Sequence, residues 1–348
     1  MTPIGTPPRW QKLIAVPGML IFGTANVVVQ KLLFEQTAQG IELYGVHKFE
    51  KPWFQTNAMF LAMSISLIIY QLEKIMLKKC KERSDQQRVV SFNSVPAEGE
   101  SSDSTLSTLS KTSPYFLVAI PALFDLVATT LTNVGLIYIE ASVWQMLRGS
   151  MVIFTSLFCA FILKRPHYPF MWWAVLLIAI SLSIVGSAAV AATGVSKQGV
   201  SQGKIVLAIV LTVGAQIVQA SHIVVEDYLM HNIDVSPFVV VGFEGIWGTV
   251  FTWGIFVPLN QFAFKSLPEG EGLHEDIVDT FKMLSNNSFL ILLTVIFMVV
   301  ALLYNITEMF VTNVTSAVMR TILEGLRTLC IWVVQLILYY TLRNTEYG

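Results

Sequence analysis

"ASVWQMLRGSMVIFTSLFCAFIL", residues 141–163, is an apolar run of 23 residues with an arginine, Arg148, inside it. A helix of that length rises about 35 Å, enough to cross the ~30 Å hydrocarbon core of a bilayer. A permanent cation there costs about 2.5–3.5 kcal/mol on insertion scales. The cost is tolerable only where the side chain faces a wet or charge-compensated interior. The stretch therefore reads as one helix of a membrane bundle that encloses polar groups.

Composition agrees. Of 348 residues, 54% are hydrophobic and 13% charged, and mean hydropathy is +0.64. A soluble domain carries about 25% charged residues. Net charge is −1 with no basic, aromatic-interleaved stripe, so no nucleic-acid partner is expected. Cys80, Cys159 and Cys330 are too few and scattered for a disulfide framework or a metal knuckle. The first apolar run follows Arg9 and Lys12 and continues to Val29 without a small-residue cleavage site, so it reads as a retained span.

Apolar spans fall at 13–31, 52–76, 115–136, 141–163, 168–188, 204–228, 235–258, 288–309 and 316–341, nine in all. The short alternating segments of a barrel are missing, so helices must satisfy the backbone in lipid. Residues 77–113 are polar and Ser-rich and are expected to be disordered. Lys74, Lys78, Lys79, Lys81, Arg83 and Arg88 put this loop in the cytoplasm, and with it the amino terminus and Lys164-Arg165. Loop 259–287 falls on the opposite side, is acidic (Glu269, Glu271, Glu275, Asp276, Asp279) and ends in a sequon, Asn286-Asn287-Ser288. Lys31, Lys48 and Lys51 run against the charge bias.

The opening motif has a second copy. "LRGSMVIFTSLFCAFIL" from Leu147 aligns without gaps on "LEGLRTLCIWVVQLILY" from Leu323, matching Leu147 with Leu323 and Gly149 with Gly325, and setting Arg148 opposite Glu324. Each copy is fourth in its half if the second half begins near Ile205. Five spans per half would insert the two copies in opposite senses, the pattern of inverted-topology transporters. Halves at 1–195 and 203–348 are expected, the second lacking its last helix, so that nine of ten spans are present.

"SVWQMLRGSMVIFTSLFCAFIL", "VEDYLMHNIDVSPFVVVGFEGIWG" (225–248) and "RTILEGLRTLCIW" (320–332) resemble motifs of the drug/metabolite transporter (EamA-like) superfamily. Within it the chain resembles solute carrier family 35, subfamily F, and the related chloroquine-resistance-transporter-like proteins, over essentially its whole length. The resemblance implies an all-α membrane protein with an inverted repeat of five plus five helices. It also implies a solute carrier of endomembranes, with the lysosomal membrane first among them.

Charges inside the spans mark the candidate site. Gln145, Arg148, Thr155 and Cys159 form one stripe, and Arg320, Glu324 and Arg327 another. Gln219 and Glu226 share a face with Gln216, with His222 beside it; Asp125 and Glu244 complete the set. Several such residues imply a common hydrated cavity. Plainer readings stand beside this one. Arg320, Glu324 and Arg327 also read as an intrahelical ladder, and Arg148 as a structural partner of Asp125 or Glu244. Asp227 and Glu308 are expected at the aqueous boundary. The glycines flanking Glu244 predict close helix approach. His222 and Glu226 have the spacing of a metal pair, but no third ligand is near in sequence, so no metal is expected.

No P-loop, H-E-x-x-H or G-x-S-x-G motif is present, so neither an enzyme nor a cofactor is expected. The expectation is a secondary-active transporter of a zwitterionic or anionic metabolite, such as an amino acid or peptide, with Asp125 or Glu244 able to carry a coupled proton. A homodimer is compatible with it. Two alternatives remain open: a nucleotide-sugar transporter stacking its base on Trp247 or Tyr304, and a non-transporting scaffold acting through loop 77–113.

Overall fold

The computed structural model describes residues 9–42, 44–76, 116–138, 146–166, 168–191, 202–233, 235–258 and 275–342. Loop 77–113, Gln145 and the residues after 342 lie outside them. The order is α1 (Arg9–Glu35), a hairpin of β1 (Thr37–Gln39) and β2 (Val46–Lys48), α2 (Pro52–Ser64), α3 (Ala119–Tyr138), α4 (Met151–Phe161), α5 (Pro169–Ala191), α6 (Gln202–Asn232), α7 (Pro237–Phe251), a π-helical turn (Thr252–Phe256), α8 (Ile277–Asn286), α9 (Ser288–Val314) and α10 (Ala317–Leu342). After a turn at Ile65 the chain is helical again over 66–76.

The apolar runs fall on helices in their described parts. The run 141–163, expected as one helix, turns at Gly149 and Ser150 and is continuous only over Met151–Phe161. Several helices begin where local chemistry says they should. Pro52 and Pro237 open α2 and α7, where a missing N–H costs nothing. Asn287 opens α9 by accepting from the N–H groups of Phe289 and Leu290. Among the described residues, five helical stretches are long and apolar enough to cross a membrane: Trp10–Glu35, Pro52–Met76, Ile205–Asn232, Pro237–Ile255 and Ser288–Val314. Leu13, Ile21, Phe161, Trp173 and Leu177 point outward, while glutamates, arginines and a histidine are buried. This inverts the soluble pattern, as expected of a bundle whose solvent is hydrocarbon.

Packing is sparse and specific. α1 lies along α9, and α3 along α6; α2 crosses α7, and α4 meets both α6 and α10. α1 also touches α10, α2 touches α9, and α3 touches α7. The glycines around Glu244 do what their spacing predicts. A Cβ at Gly245 would lie 2.5 Å from both Phe60 O and Ser64 N, so α7 rests directly on the backbone of α2 beside its turn. The main apolar core joins Met19 of α1, Phe60 and Met63 of α2, Val240 and Val241 of α7, and Phe310 and Val311 of α9.

The hairpin and α8 were not foreseen. β1 and β2 pair antiparallel, Ala38 opposite His47, and α8 folds out of what reads as an acidic loop. Asp276 caps α8, accepting from Val278 and Asp279 N–H. Asp279 then accepts from Lys51 Nζ at 2.8 Å and from the Ile41 N–H at 2.9 Å, with His47 Nε2 3.0 Å away. Glu275 takes the Trp53 and Phe54 N–H groups at the start of α2. Lys51, a sequence exception to the charge bias, is thus neutralised by an acid 228 residues away. Burial alone would raise the Asp279 carboxyl, but the Lys51 ammonium, the Ile41 N–H and His47 hold it below its ordinary value. The sequon sits at the α8–α9 junction, where the exposed Asn286 amide donates to Gln39 O at 2.7 Å.

Candidate functional site

Four helices place charged groups at one buried spot. From α6 come Gln219, His222 and Glu226; from α7, Glu244; from α9, Glu308 and Thr312; from α10, Arg320 and Glu324. His222, Glu226, Glu244, Glu308 and Arg320 are each 4% exposed or less. Helical spacing accounts for the local part: His222 and Glu226 are one turn apart, as are Arg320 and Glu324. Helix crossing supplies the rest.

Arg320 is the hub. Its Nη1 donates to Glu226 Oε2 at 2.5 Å and its Nε to Glu308 Oε1 at 2.8 Å, with Thr312 Oγ1 3.4 Å from Nη1. Glu324, on its own helix, is farther off at 3.8 Å. The intrahelical ladder is therefore the minor part of this arrangement. The strong contacts run across to α6 and α9. A guanidinium suits the task because its donors fan out in a plane toward several carboxylates.

A second group adjoins it. His222 Nε2 lies 2.5 Å from Glu244 Oε1 and 3.4 Å from Glu226 Oε1, and Gln219 Nε2 lies 3.1 Å from His222 Nδ1. With Gln219 donating to Nδ1, the ring proton sits on Nε2, facing the two carboxylates. One ligand-type atom from each of His222, Glu226 and Glu244 falls within 4.8 Å of the others. A third ligand-type residue, not near in sequence, is thus near in space. Asp125, half-buried on α3, acts electrostatically on Glu244.

Arg148 and Arg327 form the other flank. Arg327 stacks its guanidinium over Tyr304, 4.9 Å from the ring centre. Gly23 of α1 makes room, since a Cβ there would lie 2.6 Å from Arg327 Cδ and 2.9 Å from the Tyr304 ring. Arg327, Glu324, Tyr304 and Glu308 act electrostatically on Arg148. Among the described residues, Arg327 Nε, Thr155 Oγ1, Thr212 Oγ1 and Gln216 Oε1 are buried without a hydrogen-bond partner.

Two residues expected at the aqueous boundary are not there. Glu308 belongs to the hub. Asp227 is fully buried, paired with Arg165 at 2.8 Å and His231 at 3.1 Å, so that it ties the end of α4 to α6. Position along a helix gave only depth; the neighbouring helices decided burial.

No family model matches the chain. Curated relatives do. Solute carrier family 35 member F6 of Rattus norvegicus is 28% identical over 315 residues, 90% of this chain and 78% of its own length. The Homo sapiens protein of the same name is 28% identical over 323 residues, 92% and 80% of the two chains. An uncharacterised protein of Schizosaccharomyces pombe is 28% identical over 217 residues, 62% and 64%. On that similarity this multi-pass membrane protein resembles solute carrier family 35 member F6 over most of its length.

Proposed function

We propose that the protein is a secondary-active transporter of a small zwitterionic or anionic metabolite, working by rocking of two inverted five-helix repeats, 1–195 and 203–348. The helix pairing carries this reading. Exchange α1 for α6, α2 for α7, α3 for α9 and α4 for α10. The most extensive pairings then turn into one another: α1–α9 becomes α6–α3, α1–α10 becomes α6–α4, and α2–α9 becomes α7–α3, while α2–α7 and α4–α10 map onto themselves. Two copies of one unit, inserted in opposite senses, would pack in this way. The same exchange sets Arg148 opposite Glu324, as the sequence alignment does.

The site lies where the halves meet, and its mixed charges suit a solute carrying both signs. Arg148 and Arg327 offer cations near a partnerless Nε, which fits a carboxylate; Glu324 offers the anion. Thr155, Thr212 and Gln216 add polar groups that a solute or water would satisfy. Glu244, 2.5 Å from His222 Nε2, or Asp125 would carry a coupled proton. A cytoplasmic amino terminus and an endomembrane location, lysosomal first, complete the reading.

Uptake of labelled amino acids and dipeptides into proteoliposomes under an imposed pH gradient tests it. Wild type should accumulate a substrate, and Arg148→Gln and Glu324→Gln should each lose most of the flux. Undiminished uptake in both variants would retire the assignment.

A further inference from the structure

We propose that His222, Glu226 and Glu244 form a binding site for one divalent first-row transition ion, Zn2+ or Mn2+. The three donor atoms come from two helices and lie within 4.8 Å of one another. Ligands about 2.0–2.2 Å from such an ion are separated from each other by roughly 3.0–3.4 Å. The 3.4 Å between His222 Nε2 and Glu226 Oε1 already meets that spacing. The 2.5 Å between His222 Nε2 and Glu244 Oε1 must open by about half an ångström, which is the change made when an ion replaces a shared proton.

Orientation and charge favour occupancy. With an ion on Nε2 the imidazole proton sits on Nδ1, and the Gln219 amide, 3.1 Å away, would turn its Oε1 to accept it, the outer contact that fixes a ligating imidazole. Glu226 divides its oxygens, giving Oε2 to Arg320 and leaving Oε1 on the His222 side. Arg320 is shared with Glu308 as well, and Glu244 has His222 as its direct ion-pair partner among the described residues. Asp125 adds further negative charge from α3. Arg320 thus serves Glu226 and Glu308, Arg327 acts on Glu308 as well, and a dication at His222 would add positive charge beside Glu244. One imidazole with two carboxylates selects Zn2+ or Mn2+ over Ca2+, which takes six to eight oxygens.

The inference does not rest on transport, because equilibrium binding tests it. Full-length protein in detergent, stripped with chelator, is dialysed against micromolar Zn2+ or Mn2+ and the bound ion counted. Wild type should hold one ion per chain. His222→Asn and Glu244→Gln should weaken binding at least tenfold, and Gln219→Leu about tenfold, while His47→Asn, in the extramembrane hairpin, should not. X-ray absorption of Zn2+ on wild type gives a second readout that needs no variant, and should show one imidazole with oxygen ligands. No ion in folded wild type, binding unaltered in folded His222→Asn and Glu244→Gln, or a shell with two imidazoles or a sulfur would each overturn it.

Discussion

The guanidinium of Arg320 on α10 donates to Glu226 Oε2 on α6 at 2.5 Å, although the two residues are 94 apart in sequence. Glu308, on α9, takes the other side of the same guanidinium. One buried cation therefore joins three helices.

Removing that cation should be more damaging than removing the pair. Arg320→Gln strands Glu226 and Glu308 as buried charges, with an expected loss of about 3–5 kcal/mol. The double variant Arg320→Gln/Glu226→Gln should recover part of it. Thermal unfolding in detergent measures both, and a double variant no more stable than the single one would contradict the pairing.

The seat of α7 on α2 predicts a steric effect. Gly245→Ala drives a methyl into Phe60 O and Ser64 N, which are backbone and cannot swing aside. A loss of about 1–3 kcal/mol is expected. Gly254→Ala meets nothing within 4 Å and serves as the comparison. Equal melting temperatures for the two variants would show that the helices do not approach as described.

The latch at Asp279 has a defined pH dependence. Its carboxyl is held below the ordinary aspartate value of 3.8, so its stabilisation is fully present above that value and fades as pH falls through the lower, folded one. Asp279→Asn should therefore lower the melting temperature at pH 7 and at pH 5 alike, with the gap to wild type closing only in stronger acid. A gap that vanishes by pH 5 would mean the Lys51 contact does not form.

Arg165 guards the end of α4. Cys159, 1% exposed, lies six residues before it, in the last turn of the helix. Arg165→Gln removes the tie to Asp227 and should raise alkylation of Cys159 several-fold in a background where Cys80 and Cys330 are serine. Unchanged labelling would separate the ion pair from closure of this end.

Tyr304 and Arg327 offer a subtler test. Cation–π contacts contribute about 0.5–2 kcal/mol. Tyr304→Leu should cost that much stability and, on the transport reading, raise KM more than it lowers kcat, since the guanidinium loses its fixed direction. A purely structural contact would leave KM alone.

What the sequence determined by itself is what depends on near neighbours along the chain. Runs of apolar residues set each helix, proline and asparagine set where several begin, and turn spacing put His222 with Glu226 and Arg320 with Glu324. The glycines around Glu244 foretold a close approach, though not that α2 would be the helix approached. Tertiary structure alone decided which charges meet. Lys51 finds Asp279 across 228 residues, His222 finds Glu244 on the next helix, and Glu308 and Asp227 are drawn inward from where their helix positions placed them. The physical reason is one of range. Helical periodicity repeats every few residues and is written locally, whereas a buried ion pair is chosen by the crossing of helices whose sequences carry no record of each other.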